Sequence, residues 1–219
     1  MTGASAGIVI FGDVIRSRDD APAATGWLRT LSAELGRAYP PATRLASFGF
    51  TQGDELQGLL APGADPFLAV LHGALHEEAR PMRWAIALGD VDPGRGPATE
   101  RTGAAFLAAR SLLDAARARR DPVLVRVGSG PVDTLLDDVA PLLGDLLAEL
   151  TDRQRLLARL MLLEGRRRSE AATRLGVSRA TVSVMAERAR IRRIDGLVAA
   201  LRRIVADASA TAPTARTRA

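Results

Sequence analysis

RLASFGFTQGDELQGLL, residues 44–60, holds two short apolar runs, 44–51 and 55–60, parted only by Gln52, Gly53 and Asp54. A gap that short, carrying glycine and aspartate, predicts a β-hairpin. Upstream, 8–15 is apolar and rich in β-branched residues and reads as a buried strand. Between the two, Trp27, Leu28, Leu31 and Leu35 recur at helical spacing over 22–39, and Pro40 and Pro41 stop the helix. Downstream the pattern predicts a helix over 65–79 and a strand over 82–91. After the Pro/Gly-rich stretch 93–97 come an alanine-rich helix to 118 and a last strand over 123–127. The order βαββαβ followed by αβ, with a tight hairpin in its middle, is the split βαβ or ferredoxin-like arrangement of an α+β protein. Crossovers make the first two strands parallel and the hairpin reverses the third, so the end of strand one and the hairpin share one sheet edge. Asp13 and Asp54 occupy those two places.

Composition narrows the function classes. The 219 residues are 47% hydrophobic and include no cysteine, which excludes disorder throughout, disulfides, thiolate zinc sites and cysteine nucleophiles. All 30 basic residues are arginine, so lysine chemistry is absent too. Small residues follow Met1 and no long apolar run exists, so neither a signal peptide nor a membrane span is expected, and the setting expected is cytoplasmic. Charge divides unevenly along the chain. Residues 1–149 carry 14 Arg against 19 Asp and Glu, net −5, whereas 150–205 carry 14 Arg against 5 acids, net +9. A basic module joined to an acidic one is the expected footprint of binding to a polyanion.

That basic module opens with Thr151 or Asp152 as a helix cap and Gly165 as a stop, continues with a helix over 169–175, and turns at Gly176-Val177-Ser178. Glycine allows positive φ, valine plugs the angle between two helices, and Ser178 caps the third helix, which runs from 179 past 190. Ala172 and Val182 are the small and apolar positions that let the helices cross closely. The segment SEAATRLGVSRATVSVMAERA resembles the helix-turn-helix of sigma-factor region four and of response-regulator output domains. That resemblance implies double-stranded DNA as partner, with Arg168, Ser178, Arg179, Thr181, Ser183, Arg188 and Arg190 toward phosphates and base edges. The alternative is a helical hairpin with a solvated basic face.

Gly12-Asp13-Val14-Ile15-Arg16-Ser17-Arg18, the segment Phe50 to Leu60 with Gln52-Gly53-Asp54-Glu55, and Leu88-Gly89-Asp90 together resemble the SatD family, over nearly the whole chain. The same segments are distantly similar to the core of class III nucleotidyl cyclases and diguanylate cyclases. In those enzymes an aspartate ending strand one and an acid in the hairpin hold two divalent ions on a nucleotide triphosphate. The likeness implies Asp13 and Asp54 as ligands of Mg²⁺ or Mn²⁺, Glu55 as a third, and Gly12 and Gly53 as points where backbone meets phosphate. Two carboxylates at one edge repel unless a cation neutralises them. Arg110 matches the arginine of the cyclase catalytic helix, and Phe106 stands where that helix has asparagine. Arg16 could hold a phosphate or be solvated. For Asp13 and Asp54 the bland alternative is turn chemistry.

The expected organisation is a ferredoxin-like, cyclase- or palm-like domain over 1–130, a helical connector over 131–149, the helix-turn-helix over 150–205 and a frayed tail over 206–219. The function this implies is a DNA-binding transcriptional regulator whose N-terminal domain takes a nucleotide or other phosphorylated ligand with a divalent metal. Alternatives are a nucleotidyl cyclase or transferase and a protein-interaction scaffold. Regulators and cyclases of these kinds commonly pair, so the resemblance allows a homodimer, and the sequence leaves the oligomeric state open. His72 and His76, four apart, can chelate a metal but read better as an exposed helix face, and Trp27, Phe48, Phe67, Trp84 and Phe106 read as core.

Overall fold

The computed structural model describes residues 5–15, 21–51 and 55–211. In chain order the elements are β1 (Ser5–Val14), α1 (Ala21–Ala38), β2 (Arg44–Phe50), β3 (Glu55–Leu60), α2 (Phe67–Leu75), β4 (Met82–Val91), α3 (Ala104–Arg119) and β5 (Val123–Arg126). Then follow α4 (Gly130–Ala148), α5 (Asp152–Ala158) with a π-helical turn at Arg159–Leu163, α6 (Arg168–Leu175), α7 (Arg179–Arg188) and α8 (Ile191–Thr211). The protein is thus mixed α and β, as the periodicities predict, with five strands and eight α-helices among the described residues.

The sheet order is β2-β3-β1-β4-β5. β1 is antiparallel to both β3 and β4, β2 is antiparallel to β3, and β5 joins β4 in parallel. β1 is therefore central, and from Gly7 onward it is buried on both faces, which explains why IVIF reads as an unbroken apolar run rather than an alternation. Its alternate side chains serve two cores. Val9 and Phe11 meet Phe106, Ala109 and Leu113 of α3 on one face. Ile8 and Ile10 face the other way, into a larger cluster with Leu28 and Leu31 of α1, Phe67 and Leu71 of α2, and Leu136 and Leu143 of α4. The five aromatic residues assigned to the core are all buried.

Three element ends differ from the sequence reading. α2 stops at Leu75 because His76 turns extended (φ −64°, ψ 149°) and its Nδ1 accepts from Glu78 N, starting a turn toward Pro81. α7 stops at Arg188, since Arg190 takes a left-handed φ of 52° and α8 sets off from it. α8 then runs to Thr211, into the stretch expected to fray. The segment 131–149, expected as a connector, is a helix packed on β5 and α8, and the larger cluster continues without a break through Leu157, Ala171, Val182 and Ile194 to Val205.

Candidate functional site

Asp13 and Glu55 stand directly opposite one another in the β1/β3 register, and both point to the α3 face. They are 4% and 6% exposed, and two like charges so placed repel. Arginines resolve the conflict. Arg117 of α3 donates Nη2 to Asp13 Oδ1 at 2.9 Å and Nε to Oδ2 at 3.2 Å, and Arg83 of β4, Asp13's register partner on the other side, lies 3.6 Å away. Arg110, two turns earlier on α3, grips Glu55 through both terminal nitrogens, one at 2.6 Å, and rests 4.8 Å over the Phe11 ring. Gln57 donates to Glu55 Oε1 at 2.8 Å. The hydrogen bond to Asp13 raises Arg117 above its already high pKa, and that to Glu55 does the same for Arg110.

Of the residues expected at this edge, Asp13, Glu55 and Arg110 come together. Arg16, Gly53 and Asp54 lie outside the described residues. Gly12 faces the opposite side of the sheet, where a Cβ would come within 2.8–2.9 Å of Met82 and Trp84, so close packing by itself accounts for a glycine there. Sequence reasoning missed Arg83 and Arg117; the only signal was the seven-residue spacing of Arg110 and Arg117 along one helix face. The donor set suits a divalent ion poorly, because a cation at Asp13 has to displace Arg117 and Arg83. Among the described residues no three His, Asp or Glu side chains gather as a metal site.

The basic segment has the predicted local chemistry. Thr151 and Gln154 form a reciprocal capping box at the start of α5. Gly176 ends α6 in the left-handed region (φ 64°, ψ 36°), Val177 N donates back to Ala172 O at 3.1 Å, and Ser178 Oγ accepts from Thr181 N at 3.0 Å to cap α7. Ala172 and Val182 are buried where the two helices cross. Arg179, Thr181 and Arg188 are exposed along α7, together with Val184 at 49%. Ser183, Arg168, Arg188 and Arg190 line one groove with Arg192 and Arg193, although Arg190 already pairs with Glu149 at 2.7 Å. Ser178 and Thr181 hydroxyls are committed to each other at 2.8 Å.

The histidines are not on an exposed face. His72 Nδ1 lies 3.0 Å and His76 Nε2 3.6 Å from the carboxylate of Glu34 on α1, and Arg159, from the π-helical turn, donates to the same group at 2.6 Å. Among the described residues no helix is long and apolar enough to cross a membrane.

No protein-family profile and no curated protein matches the chain. Among solved structures, the chain is similar to a regulator of polyketide synthase expression from Bifidobacterium adolescentis at 18% identity, over 93% of this chain and 82% of that one, with a TM-score of 0.28. So slight a likeness bears on neither fold nor function.

Proposed function

We propose that the protein is a DNA-binding transcriptional regulator of the SatD type, with a ferredoxin-like N-terminal domain and a helix-turn-helix over 150–205. What carries the reading is the left-handed Gly176 turn with its Ser178 cap, which sets α7 across α6 with Arg179 and Arg188 exposed. The net charge of +9 over the segment supports it independently. The test is fluorescence anisotropy on duplex DNA across a salt series. Arg179→Ala with Arg188→Ala should weaken binding and reduce the slope of log K against log salt by about two, one for each phosphate left without its arginine. Unchanged affinity and slope rule the reading out.

For the N-terminal edge the proposal includes a nucleotide or other phosphorylated ligand with Mg²⁺ or Mn²⁺, bound through Asp13 and Asp54 by exchange against the arginines now on Asp13. A second reading, nucleotidyl cyclase or transferase, is favoured by one observation, the arrival of Arg110 beside the acidic pair. Against it stand Arg117 and Arg83 on Asp13, and Phe106 packed on Phe11 at 6.1 Å. Thermal shift with nucleotide triphosphates and either metal tests both. Stabilisation lost in Asp13→Asn and Asp54→Asn supports a site, turnover of the nucleotide supports the enzyme, and no metal- or nucleotide-dependent shift removes both.

A further inference from the structure

On the face of the sheet opposite Asp13 there is a half-open, mostly apolar cavity of about 200 Å³ between α2, β4, α4 and α5. Met82 and Trp84 of β4, Pro122 and Leu147 wall it. Its size has a cause in the sequence. α2 and α4 present Gly73, Ala74, Gly144 and Ala148 to it; a Cβ on Gly73 would stand 2.5 Å from the Trp84 ring, and one on Gly144 2.4 Å from Pro122. Small residues on both helices let the indole and the proline settle low and leave space above them, where native cores seldom keep voids much larger than a water.

Among the described residues, the charged side chains of the wall are Arg80 and Arg155, and no carboxylate lines it. Arg155 sits on α5 with one terminal nitrogen on Asp152 at 3.1 Å and the other only 3.5 Å from Leu150 O, the outer limit of a hydrogen bond. Its Nε is buried without a partner. That nitrogen is sealed from solvent, so the terminal nitrogen held only at 3.5 Å is the donor left for an incoming acceptor. A guanidinium N–H to a carboxylate is a charge-assisted bond, stronger than a neutral one.

We infer that this cavity binds a small aromatic or compact aliphatic monocarboxylate, its apolar body against Trp84 and its carboxylate on Arg155. A cavity of about 150 Å³ accepts benzene, so one of this size accepts a ring with a short acid arm, about ten non-hydrogen atoms. Arg155 belongs to the C-terminal helices and Trp84 to the sheet, so the bound acid ties the two layers together. The inference rests on neither DNA binding nor the Asp13 edge, and its test contains no DNA.

The probe is phenylacetate, titrated calorimetrically into the full chain, with phenylacetamide as the neutral match. Phenylacetate should bind one equivalent at millimolar affinity or tighter, and at least about tenfold better than the amide, a preference that disappears in Arg155→Gln. Ala74→Leu fills the cavity and should abolish binding of both; if that variant does not unfold cooperatively, Ala148→Leu at the rim replaces it. No saturable heat in the wild type overturns the inference. So does binding that survives the filling variant, or an equal affinity for acid and amide.

Discussion

Asp13 shows how much one buried carboxylate demands of its surroundings. Leaving water costs it several kcal/mol in principle, and Glu55 opposite adds repulsion. Arg117 supplies most of the compensation, yet 40% of its side chain remains in solvent, where screening weakens the pair. The coupling is therefore well below the roughly 3–5 kcal/mol that breaking a fully buried pair costs. In urea unfolding, Asp13→Ala and Arg117→Ala should each lower stability by about 1–2 kcal/mol, and the double variant should cost less than their sum by about 1 kcal/mol. Additive losses would mean that Arg83 alone, 3.6 Å away, neutralises Asp13. Glu55 belongs to the same network, since Arg117 reaches it at 3.9 Å, so Glu55→Gln should lower the coupling of Asp13 with Arg117.

At the scale of elements, local chemistry decides the α6–α7 turn and long-range register decides the acidic pair. Gly176 at φ 64° has nothing within 4 Å of where a Cβ would stand, so only backbone strain opposes a side chain there. Gly176→Ala should cost about 1–2 kcal/mol, read as a lower urea midpoint, and Ser178→Ala about 1 kcal/mol through the lost cap. A Gly176→Ala variant as stable as the wild type would mean that the turn relaxes out of the left-handed region. This turn was legible because every signal lies within a few residues: glycine, a plugging valine and a capping serine in succession. The pairing of β2 with β3 was legible in the same way, since a three-residue gap between apolar runs forces a hairpin. The partners of Asp13 were not. Arg117 lies 104 residues away, and nothing local says which face of α3 meets which face of β1. The close packing at Gly12 was hidden for that reason too, because its neighbour Trp84 arrives by cross-strand pairing. Arg190 ended α7 against expectation because few side chains take positive φ, and arginine gives no sign of it.

Over the whole molecule the uneven charge suggests two separate bodies, but the apolar cluster runs unbroken from the sheet to α8, and polar ties reach from the C-terminal helices to α1 and the start of α2. Arg202 of α8 meets Asp65 before α2 at 2.7 Å, and Arg159 meets Glu34 of α1 at 2.6 Å. The second tie titrates. Burial pushes the Glu34 carboxyl up, but Arg159 and His72 outweigh it and hold the group below its ordinary 4.5. Burial pushes His72 below 6.5, opposed only in part by Glu34. Both groups thus release protons more readily in the folded protein, and on acidification the unfolded chain binds more of them. Their contribution is fully present above the unfolded histidine value and is lost as pH falls through the folded value of His72 and then of Glu34. The urea midpoint should fall from about pH 7.5 toward about pH 4, in a first arm below about 6.5 and a second below about 4.5. His72→Gln keeps an amide that can donate to Glu34 but does not titrate, so it should flatten the first arm and leave the second. His76, which faces the same carboxylate at 3.6 Å, supplies the control. A first arm unchanged in His72→Gln and removed in His76→Gln would assign the acid sensitivity of the joint to the wrong histidine.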